Sequence, residues 1–257
     1  MARAKRLSAL LVAAVVVSSC GANSQPEEAS PATDLGPPVQ YSSLWTAGNV
    51  DDLFDRAGEL VRASVEAGEY AVSFGAHGQF DDFPPFPGYL DAIGTPVDGD
   101  PRFSRYYYEG SPKEPNTYKR MKIYHLAQLT TDGRTIDATV CALGSTVTED
   151  YNVTSLSSAI HVQLSTTAEN PGLPGIRDAD LDATDPPAHI IPSWNVFGDW
   201  KINGMVNAAL TNDRSLQAPC FDWWRIQFPN LPENMQYPTA PEDYLQYPEW
   251  IGPAEAS

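Results

Sequence analysis

The chain has 257 residues, with 33 acidic against 16 basic side chains, 42% apolar residues and 11% aromatic ones. A net charge of −17 repels polyanions and excludes nucleic-acid binding, while this apolar and aromatic content is too high for a disordered chain. The length suits one large domain rather than two.

Residues 1–19 read as a signal peptide. Arg3, Lys5 and Arg6 make a basic start, the apolar run from Leu7 to Val17 is too short to span a bilayer, and the small residues Ser18 and Ser19 follow. Without this peptide the chain keeps 13 bases against 33 acids, net −20. Val17-Ser18-Ser19-Cys20-Gly21 resembles the lipobox of bacterial lipoproteins, with Val17 where leucine is commonest. The resemblance implies that Cys20 is lipidated and that its lipid holds the chain at the extracytoplasmic face of the cell membrane. An ordinary cleaved signal peptide would leave Cys20 as a stray thiol. Lipidation leaves Cys141 and Cys220, an even pair able to form a disulfide outside the cytoplasm.

After Cys20, residues 20–40 are rich in proline and small polar residues and cannot bury a core, so they form a tether. Residues 41–257 form a single globular domain with an irregular C-terminal extension. Over residues 51–67, Leu53, Phe54, Ala57, Leu60, Val61, Ser64 and Val65 keep helical spacing, with Asp51, Asp52, Asp55, Arg56, Glu59, Arg62 and Glu66 opposite. Asn49 suits the N-cap and Gly68 the stop, so the spacing predicts an amphipathic helix packing one face on a core.

Residues 75–102 are crowded with Gly, Pro and Asp and read as irregular with at most a short helix; Phe80, Phe83, Phe86 and Tyr89 either line a surface groove or, the commoner case for loop aromatics, plug the core beneath them. A strand with Phe103, Tyr106, Tyr107 and Tyr108 follows. From Tyr118 to Val147 two alternating stretches flank Asp132-Gly133, a hairpin-turn signature. Pairing Thr131 with Arg134 sets Leu129 opposite Ile136, Ala127 opposite Ala138, His125 opposite Val140 and Ile123 opposite Ala142 on one apolar face. Gln128 with Asp137, Leu126 with Thr139 and Tyr124 with Cys141 form the other. In this register a Cys141–Cys220 bond straps the segment around Phe221, Trp223, Trp224 and Phe228 over the second face.

A strand at 159–166 alternates Ile160, Val162 and Leu164 against His161, Gln163 and Ser165; residues 169–192 are irregular; residues 194–202 read as a second hairpin or bent strand turning at Gly198-Asp199. The fold class is α+β: an N-terminal amphipathic helix packed on a twisted antiparallel sheet. This order, ending in Gly198-Asp199-Trp200-Lys201-Ile202, resembles the NTF2-like (SnoaL-like) superfamily over about residues 45–206. The resemblance implies a cone-shaped sheet, and it spans isomerases, dehydratases and non-catalytic binding domains. The lipobox, tether, acidic domain and paired cysteines together resemble lipoproteins of actinobacteria such as mycobacteria.

Chemical motifs are scarce. The chain contains no GxSxG, GxGxxG, GxxxxGKS or HExxH, and its four histidines, His77, His125, His161 and His189, lack ligand spacing, so no cofactor and no transition metal are expected. Asp178, Asp180, Asp182 and Asp185 fail the EF-hand pattern, with Ala183 at its sixth position and His189 at its twelfth. Asn152-Val153-Thr154 matches a glycosylation acceptor, a chance match if the chain is bacterial as the lipobox resemblance implies.

In an NTF2-like cone His125 would face the cavity as a candidate general base; the plainer reading is a core histidine hydrogen-bonded to backbone. Repeated strand-helix units for a two-lobed solute-binding protein are missing. The expected function is that of a non-enzymatic cell-envelope lipoprotein binding a partner protein or a small apolar ligand, with an NTF2-like enzyme using His125 as the alternative.

Overall fold

The computed structural model describes residues 40–74, 86–97, 99–104, 117–148, 153–167, 174–175, 191–208, 213–227, 236–237 and 246–252. Residues 37–257 make one compact unit. Cys20, the residue expected to carry lipid, the expected tether up to residue 39, Phe80, Phe83, Tyr106 to Tyr108, residues 178–185, Asn152, His77, His189 and Phe228 lie outside the described residues.

The chain starts with strand β1 (Gln40–Ala47), a 3-10 turn (Val50–Leu53) and the long helix α1 (Arg56–Phe74). A short helix α2 (Tyr89–Ile93) precedes the strands β2 (Thr117–Thr131), β3 (Thr135–Thr148), β4 (Val153–Ser165) and β5 (Lys201–Asn207). Then come α3 (Arg214–Gln217), a 3-10 turn (Ala218–Cys220), α4 (Phe221–Gln227) and the two-residue strand β6 (Gln236–Tyr237). The sheet order is β1-β2-β3-β4-β5, with β6 also on β4. The α+β class holds, but the sheet is mixed rather than antiparallel, because β1 runs parallel to β2. A parallel neighbour needs a long crossover, and α1 lies in the connection between these two strands.

Both outer strands are covered. Trp45 N donates to Tyr247 O at 2.8 Å and Tyr247 N to Ser43 O at 2.9 Å, which seals β1. On the other side Ser104 N donates to Met205 O and Met205 N to Arg102 O, both at 2.8 Å, so β5 presents no open ladder there. Of the predicted strand at residues 103–108, the described part is a single bridge, Phe103 to Met205. Residues 194–200 form no first hairpin arm; they are an irregular run, turning at Gly198, that feeds β5.

The helix differs from its prediction in extent and in surroundings. Asn49 caps the preceding 3-10 turn, its side chain accepting from Asp51 N, and α1 runs through Gly68 to Phe74. Every residue from Gly58 to Tyr70 is buried, so α1 is a central helix rather than one with a wet face. Its apolar residues Leu60, Val61 and Val65 join Ala138, Val140, Ile160 and Val162 of the sheet in one core. Phe86 and Tyr89 are buried in that core, as expected of plugs.

The hairpin corrects the predicted register twice. Asp132 Oδ1 accepts from Arg134 N at 2.8 Å and Thr135 N at 2.7 Å, so the carboxylate holds the turn and Gly133-Arg134 form its tip. Gly133 takes the left-handed conformation required there, at φ 86°. Thr131 therefore pairs with Ile136 instead of Arg134. That shift of two keeps each side chain on its face. A bulge between Leu126 and Gln128 then shifts the pairing by one, which exchanges the faces of β2 below it. Tyr124 and Leu126 join the core side opposite Ala142 and Val140, while Ile123 and His125 pass to the second face opposite Leu143 and Cys141. The placement of His125 on the core face, and of Tyr124 beside Cys141, is thereby overturned.

Candidate functional site

The face of the sheet turned away from α1 divides into a covered half and an open half. In the covered half Cys141 and Cys220 form a disulfide with Cα atoms 5.3 Å apart, joining positions 79 residues apart in sequence. The bond sets the turn Ala218–Cys220 and α4 over the sheet. Trp223 and Trp224 there share a cluster with Leu143 and Ala159, against which Ile123 and Ala127 pack. The expected strap is thus present, with Phe221 38% exposed at its rim.

His125 lies under this strap. Its ring stacks on Trp223, with centroids 5.3 Å apart and planes 8° from parallel, and its Nδ1 is 2.9 Å from the Thr46 hydroxyl oxygen. Burial lowers the imidazole pKa below its ordinary value, which favours the neutral ring. The hydrogen-bond partner at Nδ1 is the Thr46 hydroxyl, and the ring lies on the strap side of the sheet rather than on the α1 side where the cone cavity was expected. His125 is therefore part of the seam between sheet and strap.

The open half lies toward the β2–β3 turn and is polar. Here Asp137 sits between two neighbours from β4: His161 Nε2 is 3.0 Å from its Oδ1, and Gln163 Nε2 donates to its Oδ2 at 2.7 Å. Partial burial raises the Asp137 pKa, but the bonds from Gln163 and His161 outweigh it and leave the carboxyl below its ordinary value. One strand further, Asn203 Nδ2 donates to Ser165 Oγ at 2.6 Å. Asp137, Gln163, Ser165 and Asn203, but not His161, border an open groove of about 490 Å³ whose wall also includes Thr130 and Asp132. Ile136 and Leu164 supply its apolar part.

A second concentration of chemistry is internal. Glu66 is fully buried, with Trp45 Nε1 donating to one oxygen at 2.6 Å and Trp250 Nε1 to the other at 2.8 Å. Arg62 stacks over the Trp250 ring at 4.4 Å and donates from Nε to Leu53 O at 3.1 Å. Glu59 accepts from Arg56 at 2.6 Å and from Gly175 N at 2.5 Å. Glu69 pairs with Lys122 at 3.3 Å. Lys122 lies over Gly144, where a Cβ would come within 2.5 Å of the lysine side chain. Each charge has a partner, as burial demands, and the cluster joins elements together.

Sequence reasoning found the cysteine pair and the strap but missed the Asp137–His161–Gln163 group. The available signal was alternation: Asp137, His161 and Gln163 all fall on the face opposite Ile136, Ile160 and Val162. Among the described residues no group of three His, Cys, Asp or Glu side chains gathers to hold a metal ion. Compared with protein-family models, curated proteins and solved structures, the chain matches none.

Proposed function

We propose that this chain is an exported lipoprotein, held at the extracytoplasmic face of a membrane by lipid on Cys20, that acts by binding rather than by catalysis. The observation that carries this reading is the Cys141–Cys220 bond. A protein disulfide persists in an oxidising compartment and is rare in the cytosol. With two cysteines paired, Cys20 is left for the lipid that the lipobox-like sequence announces. Among the described residues no helix is long and apolar enough to cross a membrane.

The binding role has its support in where space is found. Side chains of α1 fill the region beneath the sheet, whereas the groove by Asp137 is open and polar. A partner or ligand therefore meets the chain at its surface, which favours a polar contact over a sequestered apolar molecule. An NTF2-like origin belongs to the same proposal, supported by the leading helix, the long hairpin and the two antiparallel strands that follow in order. Cys20→Ala tests the anchor: the variant should move to the soluble fraction and take up no radioactive fatty acid. Continued labelling would refute it.

A further inference from the structure

The open half of the second sheet face has a chemistry that selects among ligands, and we propose that the groove beside the β2–β3 turn binds a neutral polyhydroxylated ligand, such as a run of sugar units. This inference rests on the binding reading above and gives that reading its ligand class.

Charge removes the ionic alternatives. Among the described residues Asp132 and Asp137 are the charged side chains lining the groove, and no Lys, Arg or His lines it, so an anion has no counter-charge. A bound cation would need bare carboxylates that converge. Asp132 is engaged by the amides of Arg134 and Thr135, and Asp137 by His161 and Gln163.

What remains are groups that both give and take hydrogen bonds. The Gln163 amide donates to Asp137 and keeps its carbonyl oxygen as an acceptor. Asn203 donates to Ser165, which leaves the Asn203 carbonyl oxygen to accept and the Ser165 hydroxyl to donate. Asp137 retains lone pairs beyond the two already used. A sugar hydroxyl is one donor and two acceptors on one atom, so vicinal hydroxyls satisfy such an alternating set where a purely donating or purely accepting ligand would not. The backbones of β3, β4 and β5 lie about 4.8 Å from one another, so these groups form a row across three neighbouring strands.

The internal bonds also fix the side chains before a ligand arrives, which lowers the ordering cost of binding. A groove of about 490 Å³ lies within the range of small-ligand sites. Among the described residues no aromatic ring lines it, so recognition relies on hydrogen bonds in competition with water. The expected dissociation constant is therefore weak, on the order of 1 mM.

The test is an NMR titration of the full-length protein in zwitterionic detergent with maltohexaose, cellohexaose and a sulfated cello-oligosaccharide. At least one neutral hexasaccharide should shift the side-chain amide signals of Gln163 and Asn203, and the sulfated one should not. Gln163→Ala and Asn203→Ala, both at exposed strand positions, should each weaken binding about tenfold with the melting temperature unchanged. The proposal falls if neither neutral saccharide shifts these signals, if the sulfated probe binds as well, or if both variants bind like the parent. A photo-crosslinker at Gln163 that captures an envelope protein while the saccharides stay silent would overturn the ligand class and leave the binding reading standing. Failure of the Cys20→Ala release would instead remove the anchor alone.

Discussion

Glu66 is the residue on which most of the interior converges. Its carboxylate receives one indole N–H from β1 and another from the C-terminal segment, so strand, helix and chain end are joined through two oxygens. Burial pushes its pKa up, and the charge of Arg62 with the hydrogen bonds of Trp250, Trp45 and Ser43 pulls it back. Taking a lone carboxylate out of water costs several kcal/mol, and these partners offset the cost. Glu66→Gln keeps the shape but sets an amide N–H₂ against an indole donor. We predict a loss of about 2–4 kcal/mol, read from urea unfolding by tryptophan fluorescence. A loss below about 1 kcal/mol would show that the carboxylate is not the joint. On a helical wheel Glu66 belongs to the polar stripe with Glu59 and Arg62. Nothing within α1 indicates that residues 246–251 will cover that stripe.

At the scale of elements, the hairpin and the strap explain each other. Regular alternation along β2 would place His125 and Ile123 in the core, and the bulge after Leu126 returns them to the second face. There they meet Trp223 and the cluster around the disulfide. The sequence carries no marker of this bulge: Ala127 is neither glycine nor charged, and the register follows from packing on both faces at once. The strap itself rests on Cys141–Cys220. Cys220→Ser should cost about 3–5 kcal/mol in denaturant unfolding, from the chain entropy of a large closed loop. It should also raise dye binding as Ile123 and Leu143 lose cover, while the α1 core keeps its helical circular dichroism. Unchanged stability and dye binding would mean that Trp223 and Trp224 hold the strap without the bond.

Over the whole molecule, negative charge outweighs every other surface property. With 33 acids against 16 bases, like charges crowd a compact surface and oppose folding. Raising ionic strength from low to physiological shortens the Debye length to about 8 Å and screens that repulsion. The melting temperature by calorimetry should rise by about 2–4 °C, as for a gain of about 1 kcal/mol in a domain of this size. A flat or falling value would mean that the buried pairs of α1, rather than the surface charge, set the salt response. Composition, the presence of a helix within residues 51–67, a hairpin around Asp132-Gly133 and the cysteine pair were legible along the chain, although the ends of the helix and the pairing at the turn were not. Each depends on neighbours a few residues away or on a count. The parallel β1, the face of His125, the burial of Glu66 and the groove by Asp137 were decided by tertiary structure. Their contacts join distant segments, as Ser43 and Gln246 do across 203 residues, and local periodicity carries no information about which segment arrives to cover a face.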